Sequence, residues 1–144
     1  MVDVTPTRIL TFRITKADGS SISVVACDDQ NSLQQFGGTA DRRVLIKRTD
    51  MTADKVQHAV ITTLKAFESH EQNHFSDIAR EIKEEFNSKY ERDWHCFVIE
   101  KGGHSITHDD GCYICLDIGD PMVVLFKQWE NTLNFKHYLY KYQT

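Results

Sequence analysis

Cys112-Tyr113-Ile114-Cys115 is a C-x-x-C, a spacing that serves zinc half-sites and redox pairs. Its surroundings fit neither use. No second Cys/His pair stands at zinc-finger spacing, and strand residues three apart point to opposite faces. The two thiols are therefore expected as small strand residues. His70 and His74 lie in a polar, turn-like stretch that denies them a shared helical face, and no carboxylate completes a zincin pattern. His104 and His108 share a strand face, but about ten ångströms or more of extended chain separate them, too wide for one metal. His95 and Cys96, beside Asp93, point opposite ways on a strand, so the imidazole does not reach the thiol. Glu84-Glu85 and Asp109-Asp110 read as a solvated helix face and a turn rather than as an acid–base pair. Gly102-Gly103 lacks the lysine and helix of a phosphate loop. The residues predict a protein that is not an enzyme and holds neither metal nor cofactor.

The totals narrow the remaining classes. A chain of 144 residues suits one domain with extensions. With 40% hydrophobic and 26% charged residues and two prolines, it is globular in composition rather than disordered. A net charge of −4 argues against a broad nucleic-acid surface. No apolar run reaches the length of a bilayer span, and Met1 to Pro6 does not have the pattern of a secretory signal. Free cysteines in a reducing compartment are the expectation.

Whatever these residues do must be positioned by a small set of elements. Residues 8–14 and 21–26 are rich in β-branched and aromatic residues, with Asp18-Gly19 between them, which predicts a β-hairpin. A lone hairpin is marginal in water, so it must dock. The polar run 28–43, with Gly37-Gly38, reads as a linker, making 1–42 a hairpin-and-linker segment. Residues 44–48 form a strand candidate. A first helix follows Met51, capped by Thr52 or Asp50, with Val56, Ala59, Val60, Thr63, Leu64 and Phe67 on one face. A second runs from Phe75 to Tyr90, capped by Asn73 or Ser76, with Ile78, Ala79, Ile82 and Phe86 buried. Strands are then expected at 94–99, 104–108, 112–118 and 122–127, an antiparallel meander that gives an α+β fold. The aromatic extension 129–144 reads as a further strand packed on the domain.

The short strand near 102–108, flanked by glycines and turns, is a candidate sheet edge. An open edge is a template on which another chain adds a strand. Either a partner occupies it, or the hairpin or aromatic tail of this same chain covers it.

Residues 43–128 resemble the eight-kilodalton dynein light chain family. The likeness rests on Asp50-Met51, Ile82-Lys83-Glu84-Glu85-Phe86 with Lys89-Tyr90, Trp94-His95-Cys96, Thr107-His108 and Leu125-Phe126-Lys127. The resemblance implies a homodimer in which the strand at 102–108 crosses to the partner's sheet, with His95, Ile106 and Thr107 at the interface. It implies a groove for extended peptides built from Gly103, His104, Ser105, Ile106, Thr107 and His108, floored by Tyr113, Cys115 and Asp117. Phe75-Ser76 stand where the family carries an acidic–lysine pair, Ser105 replaces a groove tyrosine, and Cys115 and Asp117 replace aromatic floor residues, so the expectation is either weak binding of the family's glutamine-containing motif or a different motif. The implied role is a non-catalytic adaptor of the dynein motor, joining the dynein intermediate chain and other proteins with short linear motifs, in the cytoplasm and microtubule cytoskeleton. The alternative is a structural axonemal or cortical (tegumental) component with a degenerate groove. A buried His95 at the seam would weaken the dimer on acidification. The terminal Gln143-Thr144 pair offers the tail as a self-ligand.

Overall fold

The structure, a computed structural model, describes residues 8–71, 73–100 and 102–128. Its strands are β1 (Ile9–Thr15), β2 (Ser21–Cys27), β3 (Arg42–Thr49), β4 (Trp94–Glu100), β5 (Tyr113–Asp117) and β6 (Pro121–Lys127). Its helices are α1 (Gln30–Phe36), α2 (Ala53–Ser69) and α3 (Phe75–Tyr90). The strands form one six-stranded sheet in the order β1-β2-β3-β5-β6-β4. All neighbours are antiparallel except β2 and β3.

The two amphipathic stripes bury themselves against one face of this sheet. Val56, Ala59, Val60, Leu64 and Phe67 of α2 and Ile78, Ile82 and Phe86 of α3 share a cluster with Val24, Val44, Ile46, Ile114, Leu116, Val123 and Leu125. Trp94 closes this core, with its ring 4.9 Å from Phe86 and 1% exposed. Thr52 holds the N-cap position of α2, one of the two expected there, but its side chain makes no capping bond. At α3 the N-cap is His74 rather than Asn73 or Ser76, again without a side-chain bond.

β1 and β2 pair through a turn in which Gly19 takes φ +90°. β2 then lies parallel to β3, and that geometry explains residues 28–41. Parallel strands need a crossover of about a dozen residues, usually helical, and the stretch expected to be a plain linker contains α1. The Asp29 carboxylate accepts the Ser32 N–H at 2.9 Å, and the Gly37 N–H closes the helix on the Leu33 carbonyl at 2.8 Å. Leu33 packs on Val25, Cys27 and Leu45, on the sheet face opposite α2 and α3.

Two expectations are corrected. The C-terminal strands are not a simple meander, because β6 lies between β5 and β4. Residues 102–109 form no strand within this chain. Both sides of β5 and of β6 already have partners, so the segment lies over the sheet face, where Ile106 packs against Tyr113, Cys115, Met122, Val124 and Phe126. The hairpin docks along β3 and does not cover residues 102–108. The expected strand at 129–144 lies outside the described residues.

Candidate functional site

Between residues 102–109 and the sheet is a cavity of about 370 Å³. Gly102 to Ile106 and His108 form one wall, Tyr113, Cys115 and Met122 the floor, and Lys47 and Arg48 the opposite rim. Alternation along β5 aims Tyr113 and Cys115 at this face while Ile114 and Leu116 enter the helical core.

Tyr113 organises the segment above it. Its hydroxyl lies 2.7 Å from His104 Nε2, and the His108 ring stacks on it at 4.7 Å. Burial is the largest cause that pushes its phenol up to about 12, so it stays protonated. Asp50 ties the neighbouring turn to the end of β3. Its carboxylate accepts N–H groups from Gly111 at 2.9 Å and Tyr113 at 3.0 Å and lies 3.8 Å from His108 Nδ1. The role expected of Asp50, a helix cap, gives way to this loop anchor.

Of the groove residues implied by family likeness, Gly103, His104, Ser105, Ile106, His108, Tyr113 and Cys115 line this one cavity. Thr107 is exposed beside it. Asp117 is buried on the same face, 4.0 Å from Lys47 Nζ. Phe75 and Ser76 stand apart at the start of α3, where Phe75 packs on the helical core and Ser76 faces solvent. His95 lies on the groove-side face of β4, its ring 5.3 Å from Phe126.

Lys47, Arg48 and Met122 line the cavity but read from the sequence only as strand residues. Met122 follows from alternation along β6. The two cations follow from an irregularity: Ile46 pairs with Leu116, but the next ladder partner of Cys115 is Arg48, so Lys47 is an extra residue in β3. Alternation alone would send Arg48 into the core beside Ile46.

The thiols carry no catalytic arrangement. Cys112 packs towards the helical core and Cys115 towards the cavity, and burial pushes both pKa values up. Cys96 faces the core, and burial raises its thiol strongly. His70 is 3.1 Å from Glu81, and His74 is 3.6 Å from Glu71. Among the described residues no group of His, Cys, Asp or Glu is placed to hold a metal ion, and no helix is long and apolar enough to cross a membrane.

A mixed sheet with two long helices on one face and a strand-lined cavity on the other defines an α+β protein of the light-chain type. The chain belongs to the dynein light chain family: the family model for dynein light chain type 1 matches residues 43–128. A dynein light chain of Schistosoma mansoni is 32% identical over 88 residues, covering 61% of this chain and 97% of that protein. The dynein light chain-like domain of a Fasciola hepatica calcium-binding protein has the same fold in two crystal structures, each 15% identical. The native form has TM-score 0.53 and covers 61% of this chain and 93% of that one. The mercury derivative has TM-score 0.50 and covers 59% and 91%. The family is non-catalytic, and this chain is by family a light-chain-like protein rather than an enzyme.

Proposed function

We propose that the chain is a homodimeric adaptor that clamps extended peptides by strand addition, serving as a cytoplasmic light chain that joins the dynein intermediate chain and other proteins with short linear motifs. One observation carries the reading. Among the described residues, the segment 102–108 runs along the cavity without a ladder partner, and β4 ends the sheet with Phe97 and Ile99 44% and 40% exposed. A second copy supplying its 102–108 segment to β4 would satisfy that edge and cover those two side chains. The other side of the same segment would then take the peptide. Thr107 and Ile106 belong to the seam in this reading, as does His95, and Phe75-Ser76 of one copy would approach the groove of the other.

The test is a peptide pull-down with the wild type and Ile106→Pro, together with sedimentation. Proline removes a ladder donor, so the variant is expected to lose strand-addition ligands while keeping its far-UV spectrum. Peptide capture undiminished in a folded Ile106→Pro protein counts against strand addition, and a wild type that sediments as a monomer counts against the dimer. The structural alternative, an axonemal or cortical component, draws support from the hairpin and α1, which add surface outside residues 43–128. It predicts partners that survive Ile106→Pro.

A further inference from the structure

The groove rim is cationic in a protein whose net charge is −4. Lys47, Arg48, His104 and His108 line the cavity, and among the described residues no carboxylate does. Two of these have acidic neighbours: Lys47 lies 4.0 Å from Asp117, and His108 lies 3.8 Å from Asp50. The Arg48 side chain has no ion pair or hydrogen bond among the described residues, and it is exposed at the cavity mouth. Its position depends on the bulge. The extra residue at Lys47 resets the alternation of β3, turning the guanidinium from the helical core to the face of Cys115.

Resting on the peptide-clamp reading above, we propose that the groove selects a peptide with an acidic side chain, Asp or Glu, seated against Arg48. The chemistry is complementary: a planar guanidinium takes a carboxylate through paired N–H donors, and no carboxylate of the described residues lines the cavity. Main-chain pairing along residues 102–108 holds the peptide without regard to sequence, whereas Arg48 fixes register by choosing where the acid lies. Because Arg48 is exposed, the contribution to affinity is modest and falls with salt.

The probe is a phage-displayed library of random dodecapeptides, panned at low salt on the purified full chain, on Arg48→Glu and, as background, on Ile106→Pro. Asp and Glu are expected to be enriched at one position in the wild-type pool, and Lys or Arg at that position in the Arg48→Glu pool. The leading peptide, made with an amidated C-terminus so that no chain-end carboxylate contributes, is then compared with its Glu→Gln or Asp→Asn version by fluorescence anisotropy. The neutral version should bind the wild type about three- to five-fold more weakly at low salt, with no difference on Arg48→Gln. Peptides recovered without acidic enrichment, or an equal loss on Arg48→Gln, overturn the acidic preference and leave the clamp standing. A wild-type pool no richer than the Ile106→Pro background overturns both.

Discussion

His58 lies between the aromatic rings of α3, its centroid 5.2 Å from Phe86 and 5.6 Å from Tyr90. Burial, joined by the charge of Lys89, outweighs nearby Glu85 and holds its pKa below the ordinary 6.5. His95 is lowered by burial and then by Lys83, against a smaller pull from Asp93. The unfolded chain therefore takes up protons first as the pH falls below 6.5, and stability present in full above that value is withdrawn below it. The melting temperature should be level from pH 8 to 7 and decline between pH 6.5 and 5, and a His58→Gln/His95→Gln double variant should flatten the decline. An unaltered decline in that variant would assign the pH dependence to other groups. At this scale the facing of side chains was legible because it needed only period-two alternation: Cys112 and Cys115, like His95 and Cys96, do face apart. Arg48 was illegible for the same reason, since a bulge breaks the alternation on which such reading depends.

Among the elements, α2 and α3 were legible because each has a long apolar stripe whose period survives any detail of packing. α1 was not. Its seven residues bury only Leu33, too few for a periodic signal, although Asp29-x-x-Ser32 and the closing Gly37 are the helix-end chemistry that marks it. Residues 104–108 were read as a strand from local pattern, but a strand requires a neighbour, and among the described residues the segment has none. The join from α3 to β4 stores strain. Glu91 has φ 74° and ψ 171°, a region that glycine alone occupies without cost. Glu91→Gly should raise stability by about 1 kcal/mol, the relief exceeding the added freedom of glycine in the unfolded chain. The same substitution removes the Lys127–Glu91 ion pair, which at 3.8 Å and exposed on the Glu91 side contributes little. A urea midpoint that moves down rather than up would mean that the turn is unstrained.

Across the whole molecule, the hairpin and α1 decide which sheet edge remains available. β2 seals β3, and the new outer strand β1 is flanked by Arg8 and Lys16 and carries Arg13, charges that discourage further pairing. The opposite edge, β4, keeps Phe97 and Ile99 exposed. Among the described residues the sheet thus has one guarded end and one open end, and the proposed pairing of two copies through β4 would be closed rather than an open filament. That arrangement requires the hairpin to be part of the same cooperative unit as the core, and Val24 is placed to test it. Val24 is 1% exposed and shares its cluster with residues at the far end of the sheet, including Trp94. Val24→Ala should cost about 1.5–3 kcal/mol. Followed by the fluorescence of Trp94 in a Trp129→Phe background, the entire unfolding transition should shift by that amount, although Trp94 lies on the strand farthest from β1. If the Trp94 transition stays in place while the hairpin signal moves, residues 8–27 unfold on their own, and β3 becomes a second open edge whenever they do.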